Sequence, residues 1–432
     1  MGMDRGADGP GSASPERSVF SRLKRGAVEA FVLHGAGVGL LFLMHAVFAR
    51  AVGEGGYGSF SYALAITAVL GIVAPLGWPT ALLRFVSEYL ELGRWGLLQG
   101  ALRRAYQTTL VVSLAISLVL LGLSYLVPGD AATGLRYAAL LLPLVAFVGL
   151  RRKALRALGK LKASIVLEEV VLPVGAVAGV LLLVLALGGI GVSGIVLAYF
   201  ASALLVFALS SWWLLRSLPD EAREAKPEYR YRAWMAVALP MAFGGLNQML
   251  MNRADVLVLG TLASDETVGL YNAAARIAIL ITFSLSAVNA VVVPMISAAY
   301  HGGRRRQARS LQHRAMLLGG LGALPPAVVV LLFPEFLLGF FGPGFVEAAP
   351  VLRILALGQL VNAATGPVGF ALLMTGRERA FAATLAVAAV ATVVGCLVVV
   401  PIYGAVGAAV VTATSVAALN LWQYGLSGRA YS

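Results

Sequence analysis

Long apolar runs follow one another along this chain with little between them, and they leave it few ways to fold. Twelve can be counted, at about 27–50, 57–80, 103–127, 135–152, 164–188, 191–215, 233–260, 267–298, 311–333, 347–374, 379–402 and 405–428. A hydrocarbon core about 30 Å thick is crossed by about 20 apolar helical residues, which most of these runs supply. Within lipid every backbone N–H and C=O needs a partner in the protein, so a crossing segment is a helix or part of a closed barrel. No stretch alternates with period two over about ten residues, which excludes the barrel. An all-α polytopic membrane protein with about 12 transmembrane helices is expected. Of 432 residues, 59% are hydrophobic and 12% charged, whereas soluble domains carry about 25% charged residues. Cys396 is the one cysteine, so no intramolecular disulfide or thiolate metal cluster can form.

The charges are placed with a bias. With the N-terminus in the cytoplasm, 28 of the 33 lysines and arginines fall in the tail or in inward-facing connections. The segments around Arg151–Lys162 and Arg304–Arg314 are the densest. That is the positive-inside pattern, and it puts both termini in the cytoplasm. It also accounts for the net charge of +13 without a nucleic-acid partner. The loop HGGRRRQARSLQHR could also meet anionic lipid headgroups. Residues 1–24 are expected to be a disordered cytoplasmic tail, its first part (MGMDRGADGPGSASPERS) rich in Gly, Ser and Pro. The first apolar run is too long for a signal-peptide core and lacks a small-residue cleavage site, so it reads as a retained helix.

An internal repeat divides the chain. Glu54-Gly-Gly-Tyr-Gly-Ser-Phe-Ser-Tyr-Ala returns as Asp265-Glu-Thr-Val-Gly-Leu-Tyr-Asn-Ala-Ala, aligning Gly58 with Gly269. Leu158-Gly-Lys-Leu-Lys-Ala returns as Thr375-Gly-Arg-Glu-Arg-Ala, and Gly191-Val-Ser-Gly-Ile as Gly404-Ala-Val-Gly-Ala. The three matches are collinear and fall at connections of equivalent topology. They imply an N-terminal six-helix half (25–216), a charged cytoplasmic linker (217–232) and a C-terminal six-helix half (233–432). An even number of crossings per half makes the repeats parallel, and sites in such proteins lie between the halves near the midplane.

Four stretches, in order, carry a resemblance: ARAVGEGGYGSFSYALAI, LGWPTALLRFVSEYL, NRADVLVLGTLASDETVGLYNAAARI and FFGPGFVEAAPVLRILALGQL. Together they resemble the polysaccharide-export, O-antigen-type flippases of the multidrug/oligosaccharidyl-lipid/polysaccharide (MOP) exporter superfamily, from about residue 25 to the C-terminus. The resemblance implies a V-shaped pair of six-helix bundles in a bacterial or archaeal cytoplasmic membrane, such as a cell inner membrane. It implies an alternating-access flippase for undecaprenyl-diphosphate-linked oligosaccharide units of O-antigen, capsule or exopolysaccharide type. Membrane lipids and other polysaccharide-assembly proteins would be partners. No phosphate-binding loop for a nucleotide is present, no cofactor is expected, and no catalytic residues are assigned.

A diphosphate headgroup needs cations inside the membrane, where an Arg costs roughly 3 kcal/mol on insertion scales and so faces a partner or a wet cavity. Arg253 and Arg276 flank the turn between the seventh and eighth spans, each roughly 14 Å below it by helical rise. Asp255, two residues from Arg253, points to another side of its helix and is positioned to pair with Arg276 or to lock the two helices. Arg84 matches the family's arginine after the second span, and snorkelling to the interface is its alternative role. Asn247, Asn272 and Asn362 are candidates for sugar hydroxyls or for interhelical hydrogen bonds. His34 and His45 share one face of the first helix, about 20° from eclipsed, which suits proton coupling or a polar pair without a role. Two other readings stay open: a multidrug exporter of organic cations with the same fold, and an integral-membrane polysaccharide polymerase or glycosyltransferase. The first wants acidic and aromatic cavity groups; the second wants carboxylates or long outer loops.

Overall fold

The structure, a computed structural model, describes the backbone of residues 15–428 and the side chains from Leu33 to Gly428 apart from Asp130. Most of the expected disordered tail lies outside the described residues. Helix α1 (Pro15–Val73) begins inside it, so residues 15–24 are helical rather than disordered. Gly53 takes φ 71° and ψ −175°, a conformation a side chain would resist, and α1 breaks there into two crossings. The arms fold back on each other: Phe48 packs edge-on against Phe60 at 5.2 Å, and the Tyr57 hydroxyl lies 3.0 Å from His45 Nδ1.

The second expected span, 57–80, ends early. Pro75, Leu76 (φ 48°) and Gly77 (φ 82°) turn the chain at the end of α1, and α2 (Trp78–Glu91) follows. Its buried residues Trp78, Ala81, Leu82, Phe85, Val86 and Tyr89 recur at the three- and four-residue spacing of one helix face. The first half continues through α3 (Trp95–Leu123), α4 (Asp130–Ala157), α5 (Leu161–Val166), a π-turn at Leu167–Val171, α6 (Leu172–Leu187) and α7 (Val192–Ser217). A short α8 (Asp220–Glu224) lies in the charged segment between the halves. That segment runs along the start of α3, where the Glu228 N–H donates to the Gly96 carbonyl at 2.8 Å.

The second half holds α9 (Tyr231–Leu262), α10 (Asp265–Ala278), a 3₁₀ turn at Ile279–Thr282, α11 (Phe283–His301) and α12 (Arg305–Leu332). Then come α13 (Pro334–Leu338), a 3₁₀ turn at Gly344–Ala348, α14 (Ala349–Thr365), α15 (Val368–Met374) and α16 (Glu378–Gly428). Helix α16 breaks at Gly404 (φ 54°, ψ −134°), the residue the repeat aligned with the Gly191 connection. Nine helical runs are long and apolar enough to cross a membrane. The breaks in α1 and α16 add two crossings, and α9, which carries Arg253 and Asp255, adds the twelfth among the described residues. Two parallel six-helix bundles result.

The bundles meet where the repeat aligned them. A Cβ on Gly58 would lie 1.6 Å from the Asp265 carbonyl oxygen, and a Cβ on Gly269 would lie 2.1 Å from the Glu54 carbonyl oxygen. Each glycine thus receives the carbonyl four residues before the other, a reciprocal contact like that at a two-fold interface. Ser59 donates to Asp265 beside it, and Asn272 donates to Tyr57 and Ser61 at 2.9 and 2.8 Å. Further along, Trp78 meets Trp234 edge-on at 5.8 Å, and Trp234 Nε1 donates to the Tyr89 hydroxyl at 2.9 Å.

Candidate functional site

A cavity of about 450 Å³ opens among the two arms of α1, α4, the π-turn and α6, α7, α9 and α10. Helix spacing explains who reaches it. Arg253 and Asp255 lie about 200° apart around α9, so Arg253 lines the cavity while Asp255 turns into the protein. Arg276 comes from α10, so the second half contributes these two arginines and the first half the rest. Neither arginine makes an ion pair or a hydrogen bond among the described residues, and Arg276 Nε is buried without a partner.

The first half brings four more charges. Arg152 is ion-paired with Glu168, Arg156 Nη2 lies 3.9 Å from Glu168, and Arg156 Nε donates to Ser164 at 2.9 Å. Glu169 lies 2.9 Å from His34 Nδ1. Both glutamates are displayed by the π-turn, closed by the Leu172 N–H bonding the Leu167 carbonyl. One helical turn after Glu169, Pro173 has no N–H with which to close an α-helical bond to the Glu169 carbonyl, which favours the wider turn. Single π-turns within α-helices are often found at functional sites. Glu169 also packs tightly on α1, where a Cβ at Gly37 would lie 2.4 Å from Glu169 Cβ.

Four arginines (Arg152, Arg156, Arg253, Arg276) against two glutamates (Glu168, Glu169) leave the cavity with a net charge of +2, counting the histidines as neutral. Arg253 and Arg276, both from the second bundle, are left for an anion. Arginine never deprotonates in proteins and binds phosphate oxygens through a planar fork.

His34 and His45 both line this cavity, as their shared helix face suggested. His45 is buried and bonds Tyr57. The Tyr57 hydroxyl that shares a hydrogen bond with His45 Nδ1 also accepts one from Asn272 at 2.9 Å, which ties the histidine to the contact between the bundles.

Other sequence candidates lie elsewhere. Asp255 does not pair with Arg276. Its Oδ2 accepts from the Tyr271 hydroxyl at 2.5 Å and from Thr412 at 3.2 Å, and its Oδ1 accepts from the Val256 N–H at 2.7 Å. Three donors on α9, α10 and α16 satisfy it, so its place in the fold is that of a helix lock. Asp255→Asn is expected to lower thermal stability by removing one acceptor; a thermal melt beside the parent protein checks it. Arg84 is exposed on α2, with its guanidinium 5.9 Å from the Phe85 ring centre, and lines neither large cavity. Asn272 is buried in the contact between the bundles. Asn247 donates back to the Phe243 carbonyl at 3.0 Å, and its neighbours Gln248 and Asn252 line the second cavity instead. Asn362 does line that cavity. Arg353 pairs with Glu335 at 3.0 Å near a helix end.

Arg152 and Arg156 belong to a dense basic segment of the positive-inside pattern, which masks their place in the cavity. A signal was present: two adjacent acids inside the apolar run LKASIVLEEVVLPVG belong in a membrane helix only if it faces a polar interior.

Comparison with known proteins agrees with this architecture. A family model described as "Polysaccharide biosynthesis protein" matches residues 23–300, and one described as MatE matches residues 240–418. A probable low-salt glycan biosynthesis flippase, Agl15 of Haloferax volcanii, is 23% identical over 402 residues, covering 91% of this chain and 81% of its own. Among solved structures, the inward-facing conformation of a multidrug resistance MATE family transporter of the MOP superfamily superposes with a TM-score of 0.76. It is 15% identical, and the match covers 93% of this chain and 98% of that one. The lipid II flippase MurJ, in an inward closed conformation, gives a TM-score of 0.71 at 12% identity, covering 93% and 87%. These structures share the V-shaped, two-bundle fold. With its twelve crossings and a family model spanning more than half of its length, the chain belongs to the polysaccharide biosynthesis protein family of the MOP exporter superfamily.

Proposed function

We propose that this protein is an alternating-access flippase that carries polyprenyl-diphosphate-linked saccharide units across the cytoplasmic membrane, with no covalent step. One observation carries the reading: Arg253 and Arg276 line a membrane-embedded cavity of net charge +2 with no ion-pair partner among the described residues. Each phosphate of a diphosphate diester bears one negative charge, so one such headgroup neutralises the cavity. The lipid chain stays in the bilayer, and the headgroup gains the charge-assisted hydrogen bonds that compensate its lost water. Similarity to a glycan flippase and to a lipid II flippase supports this reading. The resemblance to polysaccharide-export flippases implies movement from the cytoplasmic to the outer leaflet, and the His34–Glu169 pair is the candidate for proton coupling. O-antigen or capsule units, and assembly proteins that take up the product, fit as substrate and partners.

The second reading, export of organic cations, draws on the MATE likeness. A cavity of net positive charge repels such a substrate, and Asp255, the acid beside Arg253, is already satisfied by three donors. Vesicles containing the purified protein decide between them: movement of a polyprenyl-diphosphate saccharide without movement of a cationic dye is expected, and the reverse result overturns the proposal. Glu168→Gln, which raises the cavity charge by one, is expected to tighten inorganic pyrophosphate binding about tenfold or more, since a unit charge about 10 Å away is worth about 1.7 kcal/mol at an effective dielectric near 20. Titration calorimetry of the two proteins checks it.

A further inference from the structure

A second cavity stands apart from the cationic one. About 520 Å³ lies wholly within the second bundle, bounded by α9, α11, α14, α15 and α16, and no charged residue lines it. Its polar lining is made of amides and hydroxyls, among them Asn252, Asn289, Asn420, Thr282 and Ser286. Amides are costly in a membrane bundle unless they bond a neighbouring helix or face a polar ligand. Asn252 makes no hydrogen bond among the described residues, and Asn289 Oδ1 is buried without a partner. Asn420 spends one N–H on the Val416 carbonyl at 2.9 Å and keeps its oxygen for another donor.

We infer that this cavity is the subsite for the saccharide part of the substrate, with Asn289 and Asn420 hydrogen-bonding its hydroxyls. The inference rests on the diphosphate reading of the arginine cavity. A sugar hydroxyl both donates and accepts, as an amide does, and an uncharged glycan asks for no counter-ion. Phe370 and Phe381 add apolar faces to the wall for the C–H side of a ring. The two cavities flank the same helices. Asn252 is the residue before Arg253 on α9, and Thr282 follows Arg276 by six residues, a rise of about 9 Å. A sugar bonded to a diphosphate held by the arginines would therefore enter beside α9 and the Ile279–Thr282 turn. The bundles divide the work: charge recognition between them, sugar recognition within the second.

The test uses the full-length protein in lipid nanodiscs. The probes are polyprenyl-diphosphate saccharides extracted from the cells that make it, and polyprenyl diphosphate without sugar. Asn289→Leu combined with Asn420→Leu is expected to weaken binding of the saccharide-bearing lipid about tenfold or more, each lost bond being worth a few-fold, and to leave the sugar-free lipid unchanged. Binding of the sugar-free lipid also reports that the variant is folded. As a second measurement, Phe370→Trp in an otherwise unaltered protein is expected to change its emission with the saccharide-bearing lipid only. Unchanged affinity for that lipid in the double variant overturns the subsite, as does an equal loss for both lipids or an emission change shared by both. If the unaltered protein binds neither lipid, the diphosphate reading itself falls and this one with it.

Discussion

Arg276→Ala is expected to reduce surface glycan to less than a tenth in cells that depend on this protein, at unchanged protein abundance. The guanidinium lines the cavity with its Nε buried and unpartnered. Its attraction for a phosphate at about 4 Å is worth roughly 4 kcal/mol at an effective dielectric of 20, or several hundredfold in affinity. The sign of the stability change is the sharper part. Removing one member of a buried ion pair destabilises a protein by stranding the other charge, but Arg276 has no such partner among the described residues. The Ala variant should therefore melt at the same temperature as the parent or higher. Arg276→Lys should export at an intermediate level, keeping the charge and losing the fork. Arg253→Ala should follow Arg276→Ala, whereas Arg84→Ala, on the outer face of α2, should behave as the parent. Full glycan export by both cavity variants would remove the anion site. A collapse in abundance would show that the arginines hold the bundles together instead.

Gly58→Val should prevent the two bundles from closing. At Gly58 the added Cβ alone would stand 1.6 Å from the Asp265 carbonyl oxygen and 3.0 Å from the Gly269 backbone nitrogen. These are backbone atoms of a helix, so no side-chain rotation relieves the overlap. The helices would have to separate, breaking the bonds of Asn272 to Tyr57 and Ser61 and of Ser59 to Asp265. Overpacking of a tight contact costs about 1–3 kcal/mol or more, and each buried hydrogen bond left half-made adds about 1–3, so the loss is large relative to typical point mutations. Little folded protein should be recovered from detergent extraction by size-exclusion chromatography. Gly269→Ala should fail likewise, because its Cβ meets the Glu54 carbonyl oxygen. Combining the two should cost less than their sum, since both damage one contact. Gly55→Ala, with nothing within 4 Å of the new Cβ, is the control and should be recovered like the parent. Normal yield of Gly58→Val would mean that this crossing is not the closed one.

The two predictions rest on features that were unequally legible. Gly58 and Gly269 could be aligned by eye, because a duplicated bundle keeps its close-contact glycines at equivalent positions. Arg253 and Arg276 stood out because a charge inside an apolar run is costly and therefore placed for a reason. Arg152, Arg156, Glu168 and Glu169 did not, because near a helix end the same residues serve equally as topology signals. Asp255 shows the opposite failure. An acid near two arginines reads as their counter-ion, but 200° of helix turns it toward Tyr271 and Thr412 instead.

The sequence by itself determined that the chain crosses a membrane about twelve times as helices, in two related halves, with two arginines deep between them. Those follow from the hydrophobic effect and from the cost of unpaired backbone groups and charges in lipid, which act residue by residue and leave their mark on the order of letters. Only the tertiary structure decided which polar groups share a cavity, that α2 follows the second crossing as a separate amphipathic helix, and that a π-turn brings two glutamates against Arg152 and His34. These depend on rotation about helix axes and on which helices touch, where a shift of one residue turns a side chain by about 100° and the linear pattern is silent.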